Sequence, residues 1–287
     1  MASNAQGTCA VDRKAEVLSA IARFLSRTKT GHRCEWAGDT LFLIENLILK
    51  DIRIRYRNMS LGIFWSLLNP LVMTAVLWFV FTKLLPSQIP HFAVFVLCAI
   101  VPYNIVTISW LGGTTSLVEN AGLIKRVPVP RMIIPIASVL GNCVHMSAQV
   151  GLLLLLVLAS GLGVNRHWPW LIFIWTTAIV FVIGLALVFS ALNVYVRDVR
   201  YVVESANLVL FWLVPVFYPF SKIPQQFREI YQLNPIAALV LASRNVLLEG
   251  IAPPSSLLIK LAISSTCMLI VGALVFRRIE GRFYNYL

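Results

Sequence analysis

Residues 168–196 read WPWLIFIWTTAIVFVIGLALVFSALNVYV, a run of apolar and small polar side chains without one charged residue. A helix needs about 20 such residues to cross a bilayer, since each residue rises about 1.5 Å and the hydrocarbon core is about 30 Å thick. Three further stretches qualify, over residues 61–82, 92–118 and 132–165. The sequence therefore predicts an all-α integral membrane protein.

Two weaker segments follow the long ones. Residues 205–221 form a short apolar stretch broken by Pro215 and Pro219, and residues 261–276, preceded by 255–259, form another. Hydrophobic residues make up 59% of the chain and charged residues 13%, which excludes a water-soluble fold. We expect six transmembrane helices, with both termini on the same side.

The positions of Lys and Arg set the orientation, because cytoplasmic loops retain positive charge. With the N-terminus inside, 18 of the 24 basic residues fall in cytoplasmic segments. This arrangement accounts for the net charge of +12 through anionic membrane lipid rather than nucleic acid. We expect both termini in the cytoplasm and no nucleic-acid partner.

Motifs for chemistry are missing from the sequence. No GxxxxGK[ST] phosphate loop, HExxH motif or CxxC pair occurs, so the chain is not expected to hydrolyse ATP itself or to hold a metal. The acidic residues flank the predicted spans, and His145 is the one ionisable group well inside a span. His145 is interpreted either as a proton relay or as a hydrogen-bonded packing residue. Any driving force must come from a partner.

Residues 40–58 are predicted to form an amphipathic helix at the membrane interface. Its apolar stripe comprises Leu41, Ile44, Ile48, Ile52 and Tyr56, and its polar face comprises Asn46, Lys50, Arg53 and Arg57. We expect Arg53, Arg55 and Arg57 to face headgroups or a cytoplasmic partner. A simple membrane anchor and a partner-binding helix both fit this pattern.

Several motifs over residues 40–250 resemble the type-2 ABC-transporter permeases that export polysaccharides such as O-antigens and teichoic acids. They are KDIRIRYR at 50–57, Leu61-Gly62, Trp65 and LLNP at 67–70, NAGLIKR at 120–126 with Pro128 and Pro130, NVYVRD at 193–198, PVFYP at 215–219, Ile223-Pro224 and LNP at 233–235. The first 40 residues fall outside the resemblance.

The resemblance implies a homodimer of six-span subunits in the bacterial inner membrane, docked on two cytoplasmic ATP-binding subunits. The substrate would be a lipid-linked glycan, and ATP and Mg would be bound by the partner, with no cofactor in this chain. The implied organisation is a cytoplasmic segment at 1–39, the interface helix at 40–58 and the permease domain at 59–287.

The loop after the second span resembles the coupling helix of this family. Glu119 or Asn120 is expected to cap a short helix, and Pro128 and Pro130 to end it. The resemblance places Leu123 and Ile124 in a cleft of the ATPase, with Lys125 and Arg126 making polar contacts; an ordinary basic turn is the alternative. At the next cytoplasmic turn, Arg197, Asp198 and Arg200 are expected to form an ion pair within the loop or to contact the partner.

Residues 217–250 are too long for a turn and too broken for a span, so re-entrant helices are predicted between the fifth and sixth spans. In the family such helices form an outer gate, although a static cap is the alternative. The corresponding residues are Pro219, Pro224, Asn234, Pro235 and Arg244. Arg244 is expected to hold one helix at the headgroups.

The resemblance also implies a passage lined by the first and fifth spans. The aromatic residues assigned to it are Trp65, Phe79, Trp212 and Tyr218, whose alternative role is packing. A membrane glycosyltransferase is disfavoured because no DxD motif is present. A type-2 permease for drug or lipid efflux is the main rival, because one fold hosts several functions.

Overall fold

The structure is a computed structural model that describes residues 39–57, 64–85, 89–127 and 129–285. The segment before residue 39, Leu61-Gly62 and Pro128 lie outside these ranges. Every regular element within them is helical. The α-helices are α1 (Thr40–Tyr56), α2 (Phe64–Phe79), α3 (Phe92–Glu119), α4 (Ala121–Arg126), α5 (Ile133–Ala159), α6 (Pro169–Tyr195), α7 (Val199–Leu213), α8 (Gln225–Leu233), α9 (Pro235–Leu247) and α10 (Ser255–Ile279). A π-helix, Val80–Leu84, extends α2, and 3-10 helices cover Phe220–Lys222 and Glu280–Asn285.

Five of the described helices are long and apolar enough to cross a membrane: α2 with its extension, α3, α5, α6 and α10. The prediction of an all-α, multi-pass membrane protein is therefore confirmed. The bounds predicted for the fifth span, 205–221, are wrong, because α7 has 15 residues and ends at Leu213. Val214 is extended (φ −81°, ψ 139°), since the ring of Pro215 disfavours a helical conformation in the preceding residue.

The predicted third span is also too long at its end. The helix α5 stops at Ala159, whereas the prediction ran to residue 165. Gly161 and Gly163 have φ angles of +78° and +67°, which side chains with a Cβ rarely adopt. A left-handed glycine just past the last turn is a common way to end a helix.

The helix α3 lies at the centre of the fold. In its most apolar stretch, 83% of the residues are buried, against 17% in α2. The sequence of α3 is apolar around its whole circumference, as expected for a helix surrounded by other helices. It packs against α5, α6 and α9, while α2 lies at the edge with most of its apolar surface exposed.

The helices α6 and α10 pack through two glycines. A Cβ atom built on Gly184 would lie 2.5 Å from the main-chain carbonyl of Met268, and one built on Gly272 would lie 2.4 Å from the carbonyl oxygen of Gly184. Small residues let membrane helices approach this closely, so that van der Waals contact can hold them together. Side chains larger than hydrogen do not fit at either position.

The C-terminal 3-10 helix folds back against the bundle. Phe283 is fully buried and its ring packs edge-on against Phe276 at a centroid distance of 5.4 Å. Arg131 Nη1 donates to the carbonyl oxygen of Glu280 at 2.6 Å, and Tyr195 Oη donates to that of Ile279 at 2.9 Å. These contacts join the C-terminal 3-10 helix to the start of α5, the end of α6 and the end of α10.

The helix α1 packs along α5 through a face that partly matches the predicted stripe, since Ile44 and Ile48 pack against the core. Asp39 caps its start by accepting a hydrogen bond from the Leu41 amide at 2.9 Å. Its buried residues are Leu43 and Leu47, whereas Leu41, placed in the predicted stripe, is exposed. Apolar side chains occur around the whole helix, so periodicity alone did not select the buried face.

Candidate functional site

The short helix α4 confirms the predicted helix between the second and third spans, but its cap differs. Asn120 does not cap α4 with its side chain. Its Nδ2 instead donates to the carbonyl oxygen of Ser116 at 2.8 Å, at the end of α3. Its Oδ1 accepts a short hydrogen bond from Lys50 Nζ, which joins α1 to the α3–α4 junction.

The side chains of α4 divide into two pairs. Leu123 and Ile124 are half-buried and pack against the cluster that includes Leu117 and Val129. Lys125 and Arg126 are exposed. The apolar pair therefore stabilises the chain itself as well as offering a surface, and the basic pair is available to a partner.

The basic residues of α1 do not all face outward as predicted. Arg55 Nη2 donates to Asn142 Oδ1 in α5 at 2.5 Å, so the expectation for Arg55 is corrected, while Arg53 and Arg57 are exposed. Tyr56 forms a short hydrogen bond with His145 Nδ1, and burial raises the pKa of Tyr56. His145 is thus hydrogen-bonded, in agreement with its interpretation as a packing residue.

The loop between α6 and α7 carries a different ion pair from the predicted one. Arg197 and Asp198 are both exposed, and the ion pair forms between Arg200 Nε and Glu204 Oε1 at 2.9 Å, four residues apart in α7. This i, i+4 spacing brings the two side chains to the same face of a helix. Asn193, from the same motif, is buried and donates to the carbonyl oxygen of Thr114 in α3 at 3.1 Å.

A row of aromatic rings runs from α3 across the end of α7. Phe217 is its centre, with centroid distances of 5.5 Å to Trp212, 5.4 Å to Tyr218 and 5.7 Å to Phe81. The row continues from Phe81 through Phe92 to Phe95, and from Phe217 through Phe211 to Tyr103. The structure thus brings two predicted lining residues, Trp212 and Tyr218, together.

The other two predicted lining residues lie apart from this row. Trp65 is 49% exposed and Phe79 is 52% exposed, on the outer surface of α2. Within the part of the chain that the structure describes, neither ring contacts Trp212 or Tyr218. In a single subunit, the four residues therefore do not share one surface.

An open groove of about 570 Å³ lies between α2, α3 and α7. Its apolar wall includes Met73, Phe211 and Trp212. Its polar wall is largely hydrogen-bonded internally, because Tyr103 Oη donates to the Asn207 carbonyl and Asn207 Nδ2 donates to the Thr107 carbonyl at 3.3 Å. Oδ1 of Asn207 has no hydrogen-bond partner among the described residues.

The prolines between the fifth and sixth predicted spans separate short helices, as the sequence indicated. Pro219 precedes the 3-10 helix at Phe220–Lys222, and Pro224 precedes α8. Asn234 caps α9 by accepting from the Ile236 amide at 3.1 Å, and Pro235 takes the first helical position, where its missing N–H is not needed.

Arg244 lies in the interior, not at the headgroups as predicted. It is 4% exposed, and its guanidinium donates to the carbonyl oxygens of Pro215 and Val216, each at 2.6 Å. It also donates to the Phe95 carbonyl at 3.2 Å and lies 3.5 Å from the centroid of the Phe95 ring. A buried charge is tolerated only with such partners, so Arg244 joins α9 to α3 and to the break after α7.

The sequence analysis missed Phe92 and Phe95, because they lie in the second predicted span and not in the first or fifth. It also missed that Lys50 and Arg55 bind Asn120 and Asn142. Polar residues inside an apolar span, such as Asn142, were the available signal, since membrane interiors favour paired polar groups. Among the described residues, no group of three His, Cys, Asp or Glu side chains is placed to hold a metal.

A bundle of long apolar helices with a broken helical region between α7 and α10 is typical of a multi-pass membrane protein. The chain belongs to the ABC-2 type transporter family, whose model matches residues 43–248.

Several relatives of this chain are named as permeases or transport proteins for polysaccharides. The O-antigen export system permease protein RfbA of Klebsiella pneumoniae is 28% identical over 250 residues, covering 87% of this chain and 95% of the relative. The protein of the same name from Myxococcus xanthus is 26% identical over 241 residues, covering 82% and 91%. The polysialic acid transport protein KpsM of Escherichia coli is 23% identical over 240 residues, covering 83% and 93%.

Proposed function

We propose that this chain is the transmembrane subunit of an ABC transporter that exports a lipid-linked, O-antigen-like polysaccharide. The observation that carries this proposal is the match to O-antigen and polysialic acid permeases over 82–87% of the chain. ATP and Mg would be bound by a separate cytoplasmic ATPase. This agrees with the absence of a phosphate loop from the sequence.

The proposed topology has six spans in a bacterial inner membrane, with both termini in the cytoplasm. The fifth span would be α7, continued by the residues around Pro215 and Pro219, and α10 would be the sixth. In this arrangement α1 lies at the interface between membrane and water. The helices α8 and α9 enter the membrane from its outer side and return to that same side. The length of α9, 13 residues, supports a re-entrant helix because it is too short to cross the bilayer.

The proposed passage lies beside α2 and α7. Both helices expose apolar surface, and a homodimer would place the α2 and α7 surfaces of two subunits around one path. The groove between α2, α3 and α7 and the aromatic row around Phe217 border this path in each subunit. Aromatic rings can stack on the C–H faces of sugars, and the apolar wall suits the lipid carrier.

Deleting the gene for this chain tests the function. The deletion strain is expected to lose the polysaccharide from its surface and to accumulate lipid-linked polymer inside, and re-expression of the chain should restore export. Quantitative staining of surface glycan and extraction of the lipid-linked pool measure both effects. Unchanged surface glycan, combined with raised sensitivity to lipophilic drugs, would instead favour drug or lipid efflux.

Removing Trp212 tests the aromatic row. Trp212→Ala is expected to lower export about fivefold, because it removes a ring that both lines the groove and packs against Phe217. Trp170→Ala is the matched control, since Trp170 is an exposed tryptophan on α6 outside this groove. Equal export by the two variants, at equal protein amounts, would contradict the proposed lining.

Reversing the charge on α4 tests the contact with the ATPase. Lys125→Glu with Arg126→Glu is expected to reduce capture of the ATP-binding subunit about tenfold, because both side chains are exposed and available to a partner. Leu123→Asp with Ile124→Asp should also prevent capture, but it additionally disturbs the packing of α4.

The control for this charge reversal is Lys222→Glu, an exposed residue on the opposite side of the proposed membrane. It should leave capture unchanged. Full retention of the ATPase by the α4 charge variant, as measured by pull-down from solubilised membranes, would show that α4 is not the contact.

A further inference from the structure

Pro70 removes one hydrogen bond from the middle of α2, although the helix continues through it. Proline has no N–H, so the carbonyl oxygen four residues earlier, that of Ser66, loses its usual donor. In this structure the Ser66 carbonyl accepts from Nε2 of Gln149, in α5, at 2.8 Å. A side chain of a neighbouring helix thus replaces the main-chain donor.

The Gln149 amide is oriented and buried. Asn104 Nδ2, in α3, lies 3.4 Å from Gln149 Oε1 and donates to it, which leaves Nε2 for the Ser66 carbonyl. Gln149 is 2% exposed. A buried amide in an apolar bundle is costly unless its hydrogen bonds are made, so this side chain is not an incidental packing residue.

The contact matters because α2 is held by few residues. Its buried residues are Ser66, Pro70 and Thr74, spaced one helical turn apart along a single line. Met73 and Leu77 are half-buried beside this line, and most of the other side chains of α2 are exposed. The Gln149 hydrogen bond therefore lies within the narrow line of contact that fixes the tilt of α2.

We propose that Gln149 is a positioning residue for export, which sets the angle of α2 at the Pro70 break. Because Pro70 cannot donate to the Ser66 carbonyl, α2 can bend at this point, and the hydrogen bond from Gln149 limits that bending. This inference rests on the proposed function, in which α2 borders the transport path. Pro70 and Gln149 together are called the α2 joint.

A set of variants tests this joint. Gln149→Leu is expected to lower export about tenfold, because it removes the buried amide that donates to the Ser66 carbonyl. Adding Pro70→Ala to Gln149→Leu should recover most of that export, since the new Ala N–H can donate to the same carbonyl. Ser147→Leu, on the exposed side of α5, is the control for a leucine in this helix and should export normally.

A second measurement does not depend on the substrate. Spin labels on Val76 in α2 and Val144 in α5, both exposed, report the distance between the helices in a background with all five cysteines replaced by alanine. Gln149→Leu should broaden the distance distribution, and the double variant should narrow it again. An unchanged distribution in Gln149→Leu, or no recovery in the double variant, would overturn the proposal. Absence of export by the wild-type chain would instead refute the proposed function. The measured distances would still show whether Gln149 limits bending of α2 at Pro70.

Discussion

Arg244→Met is expected to remove most of the folded protein from the membrane. The guanidinium donates to the carbonyl oxygens of Phe95, Pro215 and Val216, and methionine has no donor. Each buried carbonyl left without a partner costs about 1–3 kcal/mol, so the total loss is at least about 3 kcal/mol. Native proteins typically have an unfolding free energy of about 5–15 kcal/mol, so this loss is a large part of the total.

The control for this prediction is Arg228→Met. Arg228 also donates to main-chain carbonyls, those of Ile223 and Ser221, both at 2.9 Å. It lies near the surface, where water can replace it, and the expected cost is below about 1 kcal/mol. Protein yield and the melting temperature of detergent-solubilised protein give the comparison. Similar melting temperatures for the two variants would show that the Arg244 contacts contribute little.

Gly272→Ala and Gly184→Ala are each expected to destabilise the α6–α10 pair by about 1–3 kcal/mol. The added methyl group would meet main-chain atoms at 2.4–2.5 Å, and main-chain atoms cannot rotate aside as a side chain can. The helices must separate, which weakens contacts along both. Because the two glycines touch each other, the double variant should cost less than the two single losses added together.

Gly151→Ala is the matched control in α5. A Cβ built there has no contact within 4 Å outside its neighbouring residues and the backbone of its own helix turn, so the change should be neutral or stabilising by up to about 1 kcal/mol, from higher helix propensity. Thermal unfolding in one detergent compares the three single variants. If Gly184→Ala melts at the wild-type temperature, the close approach of α6 and α10 is not important for stability.

Composition and run length predicted the membrane class and most of the helices, because crossing a bilayer demands long charge-free segments. Proline positions also predicted the breaks around α8 and α9, since proline is excluded from helix interiors more strongly than any other residue. The ends of α5 and α7 were harder to predict. They depend on Gly161 and on Val214, where apolar residues continue past the helix end and hydropathy gives no signal.

The surroundings of individual polar residues could not be read from the sequence. An arginine in a short apolar helix suggests a headgroup contact, yet Arg244 finds enough main-chain acceptors in the interior to remain there. Arg55 similarly turns toward Asn142, a residue 87 positions away. Such pairings depend on the tertiary arrangement of helices, which local periodicity does not contain.

The packing of the C-terminal 3-10 helix also affects how the protein is handled in the laboratory. Phe283 is fully buried, and Arg131 donates to the main-chain carbonyl of Glu280 close by. An affinity tag or fluorescent protein inserted within residues 280–285 would disrupt these contacts.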